Sequence, residues 1–193
     1  MSSPSRDAKP SPSLAGSSLA SREILRAVLL ALAGSVLLAL SAKLKVPFHP
    51  VPMTMQTMVV LVLGVAYGSR LGTATVALYL LQGAIGLPVF ADTPERGIGL
   101  AYMAGPTGGY LAGFLVAAWF AGMVGQGGVV RMATAMLGGH AIIFAFGLAW
   151  LAAAIGPEKA WLLGAAPFLL ATLLKSALGV ALLAGLRAWA PRR

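Results

Sequence analysis

The chain has 193 residues, of which 59% are hydrophobic and only 10% charged. A soluble domain carries about 25% charged residues, so this composition excludes a water-solvated globular fold and indicates one embedded in lipid. The formal net charge of +9 is spread over short tails and loops, which fits membrane orientation and not nucleic-acid binding, and the lack of cysteine excludes disulfides and thiolate metal sites.

Residues 1–22, rich in Ser, Pro and Ala, read as a disordered cytoplasmic tail, and residues 23–188 as one six-helix membrane domain. Arg22 and Arg26 precede the first apolar run as in a signal peptide, but that run is as long as a span and others follow, so it is expected to stay. A span needs about 20 mostly apolar residues. Six are expected: 23–42, 54–69, 71–88, 105–125, 130–154 and 160–187. The fold class is therefore all-α and integral to the membrane. Between the first two spans stand Pro47, Pro50 and Pro52, which deny the segment helical hydrogen bonds. Gly68, Ser69 and Arg70 leave room only for a tight turn between the second and third spans.

Basic residues are enriched on cytoplasmic loops. With the N-terminus inside, that side holds nine (Arg6, Lys9, Arg22, Arg26, Arg70, Arg131, Arg187, Arg192 and Arg193), and the outside four (Lys43, Lys45, Arg96 and Lys159). Both termini are thus expected inside, with the proline segment and the loop around Asp92 sharing the outer face. Two helices carry small residues at spacing four: Ala27, Ala31, Ser35 and Ala39 in the first, and Gly105, Gly109, Gly113, Ala117, Ala121 and Gly125 in the fourth. Such stripes let helix backbones approach closely, either within the chain or against a separate membrane subunit. The first helix is the better candidate for docking. The two halves show no similarity that would indicate an inverted-repeat transporter.

Lys175 is the most informative single residue. It lies near the middle of the last span, where a lysine costs about 2.5–3.5 kcal/mol and must face protein or a water-filled cavity. None of the five acids, Asp7, Glu23, Asp92, Glu95 and Glu158, lies in the interior of a span. Unless an outer loop brings Asp92 or Glu95 down, the missing anion is a ligand. Thr172 stands one turn earlier on the same face and can donate to that anion. In GPTGGY, residues 105–110, Pro106 suits a first helical turn, while Thr107, Gly108 and Gly109 leave N–H groups open to a ligand or to a packed backbone. Tyr79 and Tyr110 line a pocket or pack. His140, behind Gly138 and Gly139, reads as a packed histidine, and His49 has no second ligand at metal spacing. No nucleophile–base pair, metal triad or phosphate-binding loop is legible, so the chain reads as a binder that is not an enzyme and takes no cofactor.

The stretches VPFHPVPMTMQT (46–57), LYLLQGAIGLPVFA (78–91), AGPTGGYLAGF (104–114) and PFLLATLLK (167–175) resemble, in order and spacing, the BioY family over nearly all of residues 24–187. BioY proteins are the substrate-binding, or S, components of biotin transporters of the energy-coupling factor class. The resemblance implies an S-component bundle in the cytoplasmic (inner) membrane of a bacterium. It also implies biotin as ligand, a membrane coupling (T) subunit and two ABC-type ATPases as partners, and the proline segment as a lid. Alternatives are an S component for another carboxylated vitamin and a solitary carrier, with a homo-oligomer open in either case. The family usually has proline-glycine-aspartate, two apolar residues and lysine; here Thr172 stands in place of the aspartate and Lys175 is kept. By that likeness the carboxylate of biotin falls to Lys175, its ureido group to Gln56 and hydroxyl partners, and its apolar ring and chain to Phe48, Phe90 and Tyr110. Asp92 remains a candidate neighbour of the site. Docking of the T subunit falls to Ala27, Ala31 and Ser35.

Overall fold

A computed structural model describes residues 14–47 and 49–189, leaving Phe48 outside the described residues. The order is α1 (Leu14–Lys43), β1 (Lys45–Val46), β2 (Met53–Thr54), α2 (Gln56–Ala84), α3 (Gly99–Met103), α4 (Gly108–Val124), α5 (Val129–Ile155), α6 (Pro157–Gly164), one 3-10 turn (Ala166–Phe168) and α7 (Leu169–Trp189). Among the described residues, four stretches are helical, long and apolar enough to cross a membrane: Ser21–Lys43, Gln56–Ala84, Val129–Ile155 and Pro157–Trp189, with α4 a shorter apolar helix.

Several boundaries differ from the sequence expectation. α1 starts at Leu14, so residues 14–22, expected to be tail, continue the helix; no proline interrupts the chain between Pro12 and Pro47. α2 ends at Ala84 and not at 88, because Gly86 takes a φ of +99 and Pro88 follows. α4 begins at Gly108, leaving Pro106 in the turn before it. The last expected span is broken at Ala165 (φ −131, ψ −53) into α6 and α7. Pro167 is the cause: inside a continuous helix it would remove a hydrogen bond and clash with the preceding turn.

α2 is itself two arms. Gly68 holds φ 79 and ψ 171 inside it, a conformation closed to most side chains. The chain doubles back there, and Gly72 comes to rest on Gly64: a methyl on Gly72 would fall 2.8 Å from the Gly64 Cα. α4 packs on both α2 and α5, and α1 covers α2. Val60, Leu61, Val76, Met136 and Leu151 fill the centre.

The small-residue stripes serve this packing. Gly109 and Gly113 of α4 abut Trp150, Phe146 and Ile143 of α5, and Gly125 abuts Val65 and Ala135. On α1, Ser35 is fully buried and donates to the Leu32 carbonyl (2.9 Å), while Ala27 and Ala31 are half-buried. Ser35 is therefore not on a free docking face. The outward side of α1 is instead Leu25, Leu29, Leu32, Val36 and Leu40. Apolar side chains of this kind are what a hydrocarbon solvent accepts.

Candidate functional site

β1 and β2 pair antiparallel, Lys45 with Thr54 and Val46 with Met53, so the proline segment is the tip of a short hairpin. The hairpin roofs a cavity, with Val51, Pro52 and Met53 on the roof. Its walls are largely apolar: Tyr102, Tyr110, Leu111 and Phe114, with Ile143, Phe144 and Phe168 opposite. Polar groups converge from four elements: Thr54 from β2, Gln56 and Thr57 from the first turn of α2, His140 from α5, and Thr172 and Lys175 from α7, with Thr107 ahead of α4. A few polar groups set in an apolar cleft are the usual make-up of a small-molecule site.

Lys175 is buried, and its ammonium donates to the Thr54 carbonyl (3.0 Å) and to Thr57 Oγ1 (3.4 Å). Both ion pairs formed among the described residues belong to Asp92, so no carboxylate there balances Lys175. An ammonium has three N–H groups, and two are held by the chain. The cavity thus has a cationic end with donor capacity to spare.

The roof is tied down from outside. Asp92 accepts from Lys45 and lies 3.5 Å from Arg96 Nε, whose Nη1 donates to the Pro50 carbonyl (2.8 Å). Lys43 donates to the carbonyls of Phe90 (3.0 Å) and Thr93 (3.3 Å). The loop after α2 and the hairpin are one clasp.

Of the residues singled out from sequence, Lys175, Thr172, Gln56, Thr107 and Tyr110 line the cavity. Tyr110 also donates its hydroxyl to the Gly164 carbonyl (2.9 Å). Four others stand behind the lining. Tyr79 accepts from Gln56 Nε2 (2.6 Å) and donates to the Val89 carbonyl (3.1 Å), which orients the Gln56 amide. Phe90 stacks on Tyr102 with ring centres 5.0 Å apart. Gly108 and Gly109 meet Met103, Trp150 and Phe146, so they admit neighbouring helices and not a ligand. Asp92 belongs to the clasp, because Lys45 and Arg96 reach it first. Phe48 lies outside the described residues.

Sequence reasoning did not assign Thr54, Thr57 and Tyr102 to the lining, and placed His140 only as packing. His140 is buried, yet its Nε2 lies 3.1 Å from Thr57 Oγ1 and its Nδ1 2.8 Å from the Met136 carbonyl. A hydroxyl and an imidazole are therefore in hydrogen-bond reach, a pairing the sequence did not reveal. It is poorly suited to nucleophilic catalysis, since Nδ1 faces a carbonyl with no orienting carboxylate among the described residues and the Thr57 oxygen also accepts from Lys175. Among the described residues no cluster could hold a metal ion.

The fold and the cavity define a multi-pass helical membrane protein with a roofed small-molecule site. The BioY family model matches residues 11–192, and the chain belongs to the BioY family. It is 38% identical over 144 residues to the probable biotin transporter BioY of Pyrococcus horikoshii, covering 75% of this chain and 85% of that one. Over 142 residues it is 38% identical to the biotin transporter BioY of Rhizobium etli, covering 67% and 74%. Among solved structures it resembles the S-component for biotin from an ECF-type ABC transporter, with a TM-score of 0.75 at 22% identity over 86% of this chain and 93% of that one.

Proposed function

We propose that this chain captures biotin from the outer face of the cytoplasmic membrane and mediates its uptake with an energy-coupling module of a T subunit and two ABC-type ATPases. One observation carries the reading: Lys175 presents a buried ammonium to a mostly apolar cavity with no carboxylate beside it among the described residues. Biotin suits such a space, with a carboxylate for Lys175, a ureido group for Gln56, Thr107 and Thr172, and an apolar body for Tyr110, Phe114 and Phe168. Relatives named biotin transporters support the choice of ligand.

The proposed topology has six passes: α1, the two arms of α2, α4, α5, and α6 with α7. Both termini lie in the cytoplasm. Contacts within the chain support this count. The Lys45–Asp92 pair joins the hairpin to the loop after α2 at one end. At the other, Arg187 donates to the carbonyls of Gly125 and Gly127, and Gly122 packs on Ser69, which gathers Arg70, Arg131 and Arg187 together. Calorimetric titration of the purified chain with biotin and with biotin methyl ester tests the function. Saturable binding of biotin with much weaker binding of the ester is expected. Equal binding of the two, or none of biotin, would contradict it.

A further inference from the structure

The short contact with the Met136 carbonyl sets the direction of the hydrogen bonds around His140. The Met136 carbonyl can only accept, so Nδ1 of His140 carries the proton, shared with Ser176 Oγ at 3.1 Å. Nε2 of a neutral ring then accepts, and the Thr57 hydroxyl must give it its single proton (3.1 Å). Thr57 is left facing Lys175 with lone pairs alone, which is what an ammonium donor at 3.4 Å requires. A doubly protonated ring would reverse this. Its Nε2–H would claim the Thr57 oxygen and set a second cation against Lys175, with no carboxylate among the described residues to balance the two.

We propose that Thr57 and His140 are positioning residues that aim the Lys175 ammonium and so set the preference for a carboxylate ligand over an uncharged one. The inference rests on the reading of the cavity as a biotin site. Thr57 and the Thr54 carbonyl hold two N–H groups of Lys175, leaving the third to point into the cavity. A ligand carboxylate placed there receives a preorganised, charge-assisted bond. A neutral acceptor gains less from the same aim, so the His140–Thr57–Lys175 chain of hydrogen bonds acts on selectivity more than on general affinity.

The test compares biotin with its carboxamide, biotinamide, on the full chain in detergent. The wild type is expected to prefer biotin. In Thr57→Val, biotin binding is expected to weaken about tenfold or more, as for loss of a hydrogen bond to a charged group, and biotinamide binding less than about threefold. Thr57→Ser restores the hydroxyl and is expected to recover the preference. If the wild type shows no preference, the biotin reading fails and takes this inference with it. If the wild type prefers biotin and Thr57→Val weakens both ligands equally, Thr57 serves packing alone and only the inference falls. A second measurement does not depend on that variant folding. Imidazole nitrogen shifts, recorded in a His49→Asn background so that His140 is alone, should show protonation at Nδ1; protonation at Nε2 would overturn the proposal.

Discussion

Replacing Lys175 by methionine separates the two roles of its charge. In the empty protein the ammonium carries a burial cost of about 2.5–3.5 kcal/mol on insertion scales. Its hydrogen bonds to the Thr54 carbonyl and Thr57 Oγ1 offset this, at about 1.5–3 kcal/mol each for bonds to a charged donor. Methionine removes the cost and the bonds together while keeping most of the apolar stem. The empty variant should therefore unfold within a few degrees of the wild type. Biotin binding is another matter, since the ligand carboxylate then meets no cation. Truncating one partner of a buried charge pair costs about 2–5 kcal/mol, or about 30- to 4,000-fold in affinity. Thermal unfolding with and without biotin reads both numbers, because a ligand stabilises only by binding. An unchanged unfolding temperature with the biotin-induced rise abolished is the expected pattern. A variant that biotin stabilises as fully as the wild type would refute the assignment of the carboxylate to Lys175.

Asp92→Asn should loosen the clasp and speed biotin release up to about fivefold, the scale of a partly exposed ion pair, with Lys45 and Asp92 34% and 15% exposed; an unchanged dissociation rate in a displacement assay would contradict this. Tyr79→Phe removes the acceptor for Gln56 Nε2 and the donor to the Val89 carbonyl, and should cost about 1–3 kcal/mol in thermal stability. Gly64→Ala would set a methyl 2.5 Å from the Ala118 carbonyl oxygen and should destabilise by about 1–3 kcal/mol. Gly185→Ala, where nothing lies within 4 Å, should be neutral or slightly stabilising on the same scale. Reporter fusions at residues 10 and 190 should report cytoplasm and one at 96 the external side; opposite signals at the two ends would refute the six-pass topology.

What was legible in the sequence was what lipid makes costly. A lysine in the middle of an apolar run stands out because its burial needs a partner, and three prolines in a helical chain stand out because they break it. Gly68 to Arg70 similarly marked the reversal within α2. Thr57 and His140 carry no such signal. A hydroxyl or an imidazole inside a helix is unremarkable until tertiary packing brings α2, α5 and α7 together. The stripe on α1 was ambiguous for a related reason: small residues favour close approach, but spacing does not say whether the neighbour is α2 or another subunit. The pairing of Asp92 was not legible because its distance in sequence from Lys45 hid the partner nearest to it. The break at Ala165 could have been read from Pro167, whose position within the last span was overridden there by length and hydropathy.

The most direct measurement is a structure of the chain with biotin bound. The carboxylate is expected in the cavity beneath the hairpin, with one oxygen about 2.7–2.9 Å from Lys175 Nζ, the range for a charge-assisted bond, and the ureido ring towards Gln56 and Thr107. Biotin bound outside that cavity, or with its carboxylate turned away from Lys175 towards Lys43 and Lys45, would contradict the proposed recognition.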